Sequence, residues 1–97
     1  MPAKRLAKTI AVLFGAELRR ARNHAGLTQQ ALAEQADVDP VFISFLENGH
    51  RQPSLTVLFS LEHVLGLEPG ELMRRVSAKL PRSELPKVPR RAARRGK

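Results

Sequence analysis

The stretch that most limits what this chain of 97 residues can fold into runs from Leu27 to Gly49, LTQQALAEQADVDPVFISFLENG. Thr28 precedes QQALAEQA, a run of strong helix formers, and its hydroxyl can accept from a free amide of the first turn. Asp39 and Pro40 repeat the signal: a capping carboxylate, then a proline at the first helical position, where its missing N–H costs nothing. Only Asp37 and Val38 stand between these segments. A joint that short forces two short helices to cross steeply. With residues about 100° apart around the second helix, Ile43 and Leu46 point inward together with Asp39, and Phe42 lies at the margin. Val41, Ser44, Phe45 and Asn48 then face outward.

The flanking segments supply the helices this pair needs to bury its apolar side. Ile10, Phe14, Leu18, Ala21 and Ala25 recur in steps of three and four, which predicts a long first helix from about Lys4 to Ala25 with Gly26 as its C-cap. Leu27 packs down behind it, and Leu32, Ala33 and Ala36 are the inward positions of the next helix. Beyond Gly49, the polar loop His50–Pro53 leads to Ser54, the cap of a fourth helix striped by Leu55, Leu58, Leu61 and Leu65 and closed by Gly66. Pro69 is expected to start a fifth helix carrying Leu72, Met73 and Val76. The expectation is an all-α fold of five short helices over residues 9–80. A basic N-terminal arm, residues 1–8, precedes it, and a basic, disordered tail, residues 81–97, follows, because Pro81, Pro86 and Pro89 interrupt any helix there.

Charge is distributed to match. The formal net charge is +8, yet from Thr9 to Ala78 six arginines face eight acids, while Pro81–Lys97 holds seven Lys or Arg against the single Glu84 and Lys4, Arg5 and Lys8 lie at the other end. A polyanion is the partner such arms suit. There are no cysteines, so disulfides and thiolate sites are excluded. The apolar runs fall far short of the roughly 20 residues of a membrane span. No export signal is evident, which leads us to expect a soluble, cytoplasmic protein. His24, His50 and His63 lack ligand spacing and no glycine-rich phosphate loop occurs, so we expect no enzyme, metal or cofactor. A core this small is close to the size at which dimerisation helps.

From Phe14 to about Val76 the chain resembles the Cro and phage-repressor (XRE) type of helix-turn-helix DNA-binding domain. The likeness is carried by Arg22 ahead of the GLTQ of Gly26–Gln29, by Leu32 and Ala33, by the ISFLENG from Ile43 to Gly49 and by the PSL from Pro53 to Leu55. It implies a compact, lambda-repressor-like five-helix domain. The family usually forms a two-fold homodimer on a near-palindromic operator, with helix three in the major groove and half-sites about one helical turn apart. The resemblance also implies that Gln29 contacts phosphate and that Arg22 and Glu47 form a largely buried ion pair between helices one and three.

Taken position by position, the DNA-binding set is Thr28, Gln29, Gln30, Asp39, Pro40, Val41, Ser44, Phe45, Asn48 and Arg51, with Thr28 mainly a cap and His50 a weaker loop candidate. Pro40, Val41, Ser44 and Phe45 occupy the base-reading positions, where donors and acceptors are usual. Ser44 and Asn48 can hydrogen-bond; Val41 and Phe45 offer only apolar contact, such as with thymine methyls. Two readings follow: recognition of double-stranded DNA through methyl contacts, phosphate positioning and DNA shape, or an antitoxin-like protein-interaction module using this apolar face. Asp37 stands where the family usually has glycine, in a position expected to be left-handed. The basic run Arg90, Arg91, Arg94, Arg95 and Lys97 can add phosphate contacts. Leu67 and Met73 are candidate dimer contacts, with Leu72 and Val76 turned inward.

Overall fold

A computed structural model describes residues 2–88 of the chain. Five helices follow one another: α1 (Pro2–His24), α2 (Gln29–Ala36), α3 (Pro40–Glu47), α4 (Leu55–Val64) and α5 (Glu71–Lys79), with a short 3-10 turn at Arg82–Glu84. Among the described residues there is no strand.

The capping residues set the helix starts. Thr28 accepts from the amide of Ala31, Asp39 from Val41 and Ser54 from Val57, each removing one free donor from a first turn. Asp37 ends α2 in the left-handed region, at φ 59°, and is the one non-glycine residue with positive φ among those described. That conformation reverses the chain within two residues. The amides of Asp37 and Val38 fold back onto the carbonyls of Glu34 and Ala33, and α3 leaves at a new angle.

The core gathers one stripe from every helix: Phe14, Leu18 and Ala21 of α1, Leu32, Ala33 and Ala36 of α2, Ile43 and Leu46 of α3, Leu58 and Leu61 of α4 with Leu65 just beyond it, and Leu72 and Val76 of α5. In this arrangement α1 packs on α3 and α5, while α2 packs on α3 and α4. A glycine permits the first contact. A Cβ on Gly15 would stand 2.3 Å from the Leu46 carbonyl oxygen and 2.7 Å from that of Glu47, so α1 and α3 meet backbone to backbone.

Several boundaries depart from the sequence pattern for local reasons. Ala25 is exposed, because α1 ends at His24 and the chain swings away through Gly26 at φ 74°. Leu55 is 75 % exposed: it stands on the first turn of α4, ahead of Leu58, where burial begins. Asp39 does not turn inward; its carboxylate stays in solvent while it caps α3. Pro69 does not begin α5. Gly70, at φ 89°, breaks the path from it, and the helix starts at Glu71.

Both flanks carry structure. Residues 2–8 are the opening turns of α1, continuous with the rest of that helix. At the other end, the first residues of the expected disordered tail make the 3-10 turn, which packs on α1 and accepts a hydrogen bond through Glu84 Oε1 from Thr9 Oγ1 at 2.6 Å. The remaining tail cations, Arg90, Arg91, Arg94, Arg95 and Lys97, lie outside the described residues.

Candidate nucleic-acid interface

Glu47, on the last turn of α3, organises the side chains around the turn. Its position four residues after Ile43 puts it on the inward stripe, and it is buried. A buried carboxylate needs donors around it. Arg22 of α1 supplies two, Nε at 2.5 Å to Oε2 and Nη2 at 3.0 Å to Oε1. Arg19 Nε adds a third at 3.2 Å and Gln29 Nε2, from the first turn of α2, a fourth at 3.0 Å, both to Oε1. Burial by itself would raise the Glu47 carboxyl, but the hydrogen bonds from Arg22, Gln29 and Arg19, with the Arg22 charge, hold it below the usual carboxylate range. The Arg22 guanidinium is correspondingly held above its own usual range, chiefly by its hydrogen bonds to Glu47. Arg22 Nη1 also donates to the Leu27 carbonyl at 2.9 Å, fixing the loop between α1 and α2.

From this knot the contacts run outward to the surface. Arg19 Nη2 donates to Asn48 Oδ1 at 3.1 Å, and Asn48 Nδ2 donates to the Ser44 carbonyl at 2.9 Å and approaches Ser44 Oγ at 3.3 Å. Ser44 is half-buried, and Asn48 is exposed. Val41 and Phe45 stand out from the same helix, 58 % and 39 % exposed. Phe45 meets the following loop on its own terms: the His50 ring lies edge-on to it at 6.3 Å, and the Arg51 guanidinium sits 5.8 Å above its face. One chain of contacts therefore links Gln29 at the start of α2, through Glu47 and Arg19, to Asn48 at the end of α3 and Ser44 on it, and a second, separate cluster joins Phe45 to His50 and Arg51 in the loop. Thr28, Gln30 and Pro40 are exposed nearby in sequence, with Gln30 Nε2 directed to Glu34 at 3.4 Å.

Gln29 faces inward, toward Glu47. Its Nε2 carries two hydrogens, so one remains for an outside acceptor while the other holds the knot. Of the candidate dimer residues, Leu67 packs partly against the core and Met73 is exposed, while Leu72 and Val76 are buried.

Sequence reasoning misses two more buried carboxylates. Glu62 of α4 accepts from the amides of Gly70 and Leu72, at 2.9 and 3.0 Å, and so caps α5 from another helix. Glu17 of α1 meets Arg20 at 2.6 Å and Lys79 of α5 at 2.5 Å. Burial would raise its carboxyl, yet the Lys79 hydrogen bond and the Arg20, Lys79 and Arg75 charges bring it below the usual range. Helical period carries a signal for both, since each stands three or four residues from core positions: Glu62 from Leu58 and Leu65, Glu17 from Phe14 and Ala21.

Two short helices joined through a left-handed residue, the second carrying an exposed face and tied to the first turn of its partner by the Gln29–Glu47 hydrogen bond and to α1 by a buried ion pair, define a helix-turn-helix domain. The chain belongs to the helix-turn-helix family, whose model matches residues 18–72, and within it to the XRE-type DNA-binding regulators of transcription rather than to an enzyme family. It is similar to an uncharacterised HTH-type transcriptional regulator, y4dJ, of Sinorhizobium fredii, with 33 % identity over 63 % of this chain and 79 % of that protein. It also resembles the control protein C.BamHI of Bacillus amyloliquefaciens, 30 % identical over 70 % of this chain and 85 % of the relative. Among solved structures, the restriction-modification controller protein C.AhdI from Aeromonas hydrophila superposes with a TM-score of 0.62 at 37 % identity, over 64 % of this chain and 94 % of that one. The clp gene regulator ClgR from Corynebacterium glutamicum does so at 0.67 and 32 %, over 71 % and 73 %. No helix among the described residues is long and apolar enough to cross a membrane.

Proposed function

We propose that this regulator is a cytoplasmic, sequence-specific binder of double-stranded DNA that acts as a homodimer on a near-palindromic operator, with α3 in the major groove. The observation that carries the reading is the contact path from Gln29 through Glu47, Arg19 and Asn48 to Ser44. It holds the start of α2, where amides and the spare Gln29 hydrogen suit a phosphate, in fixed register with the α3 face that would meet base edges. Ser44 and Asn48 supply the hydrogen-bonding groups of that face and Val41 and Phe45 its apolar contacts, which suit thymine methyls. Arg51 stands beside it for the backbone. Thr28, Gln30, Asp39 and Pro40, all exposed, complete the set we assign to DNA. Met73, exposed on α5, and the half-buried Leu67 are the side chains we assign to the dimer contact. The basic run from Arg90 to Lys97 adds phosphate contacts; deleting residues 81–97 should flatten the salt dependence of binding.

Selection from a randomised duplex pool, followed by sequencing, tests the reading. Enrichment of a near-palindrome is expected, and light scattering near physiological salt should give twice the chain mass. Recovery of unselected DNA alone would overturn it. The exposed Val41 and Phe45 favour a second reading, an antitoxin-like module whose partner is a protein. Under it, Val41→Ser with Phe45→Ser would abolish partner binding and leave DNA affinity unchanged.

A further inference from the structure

Of the two basic flanks, the structure joins the N-terminal one to this surface. The first turns of α1 carry the exposed Lys4, Arg5 and Lys8, which with Thr9 line a shallow groove of about 380 Å³. Lys8 also borders a second groove, of about 520 Å³, formed with Ala7, Ala11, Gly49, His50, Arg51 and Gln52. The junction is held in place: Gln52 Nε2 donates to the Ala7 carbonyl at 2.9 Å, and Gly49 backs so closely on α1 that a Cβ there would come within 3.0 Å of Val12 Cγ2. Because Arg51 lies over Phe45, cationic groups continue from the α3 face through the loop to Lys8 and Lys4.

These cations differ from most of those of the domain body. Arg19, Arg20, Arg22, Arg75 and Lys79 are each paired with a carboxylate, whereas among the described residues none lies within ion-pair distance of Lys4, Arg5, Lys8 or Arg51. The nearby Glu84 accepts its hydrogen bond from Thr9. Lys4 and Lys8 are one helical turn, about 6 Å, apart, and their spacing is rigid because α1 is continuous from Pro2 to His24.

We propose that the N-terminal turns of α1 form a phosphate-binding extension of the DNA interface, in which Lys4, Arg5 and Lys8 hold the duplex backbone next to the segment met by the α3–α4 loop. The surface lies outside residues 18–72, the part that matches the family. It rests on the DNA-binding reading above and deepens it: backbone contacts here add salt-dependent affinity and fix the domain's orientation without reading sequence.

The test uses the full chain with Lys4→Gln, Arg5→Gln and Lys8→Gln together, substitutions that keep helix propensity at exposed positions. Binding to a selected and to an unrelated duplex is followed from 50 to 200 mM salt. Removing three cations from each protomer, and so six from the homodimer's hold on the phosphate backbone, should make the slope of log affinity on log salt shallower by about 5.4, so that the salt rise costs the unaltered chain about 1,800-fold more affinity than the variant. The ratio of affinities for the two duplexes should not change. A companion variant, Lys4→Arg with Lys8→Arg, should keep the original slope. An unchanged slope in the glutamine variant, with helical circular dichroism and DNA binding retained, overturns the extension alone. Failure of the unaltered chain to bind either duplex overturns the DNA reading together with it.

Discussion

Two buried glutamates hold this small domain together in different ways. Glu47 joins α1, α2 and α3 through side-chain donors, two arginines and a glutamine, all of which reach it from other helices. Glu62 joins α4 to α5 through backbone amides of the turn and first residues of α5. The first arrangement depends on particular residue types at distant positions and leads out to the surface that meets DNA in our reading. The second needs only a helix start within reach, and it steadies the α5 that carries Met73 rather than the residues assigned to DNA. A buried charge is tolerated in either case because its donors are complete, and no buried side-chain polar atom among those described lacks a partner.

The comparison can be broken most forcefully at Arg22. Arg22→Ala leaves Glu47 buried with only Arg19 and Gln29, and should cost about 3–5 kcal/mol, near the lower end because those two donors remain. For a domain of this size that is a fall of more than about 10 °C in melting temperature; a change of a degree or two would mean the knot contributes little. The same joint gives a pH signature. Glu47, and with it Glu17, has a folded-state carboxyl held below its ordinary value of 4.5. Stability from these groups is therefore present above that pH and lost as pH falls through the lowered folded values. Melting curves from pH 7 to pH 3 should show this decline, and Glu47→Gln should flatten it.

Gly15→Ala attacks the same joint sterically. The new methyl would press on the Leu46 and Glu47 carbonyls, so α1 and α3 must separate, at a cost near the top of the about 1–3 kcal/mol range for overpacking. DNA affinity should fall with it, since Gln29 and Asn48 lose their register. Glu62→Ala should cost about 2 kcal/mol through two amides left without an acceptor, one of them in the core. Unlike the changes at Arg22 and Gly15, it should leave DNA affinity unaltered in protein that remains folded and dimeric; a matching loss of affinity in such protein would erase the functional distinction between the two joints. Smallest of all, Asp37→Gly relieves a left-handed aspartate while loosening the unfolded chain, for a net gain of about 0.5 kcal/mol. A lower melting temperature would show that the Asp37 side chain favours the turn more than its strain opposes it.

Much of the fold is legible in the chain itself. The caps Thr28, Asp39 and Ser54, the two-residue spacing at Asp37 and Val38, and the apolar stripes of Leu32, Ile43, Leu61 and Val76 depend on local chemistry and helical period, so they can be read before any fold is known. Arg22 and Glu47 are readable as partners through the resemblance of the motif around them. The Glu62 cap is not, because its acceptor role exists only once α4 and the start of α5 lie against each other. Leu55 and Ala25 keep the right period but fall beyond the packed length of their helices, a matter of where neighbouring helices end.

The sequence by itself determined the five helices and most of the apolar core, since these follow from caps and periodicity within single segments, while the left-handed turn at Asp37 was readable through the resemblance of the motif. Tertiary structure alone decided which polar groups share a site: that Gln29 turns to Glu47, that Arg51 covers Phe45, and that Lys8 stands beside the α3–α4 loop. Each of these contacts joins segments whose distance in the chain says nothing about their distance in space, and whose geometry is fixed only when the core has closed.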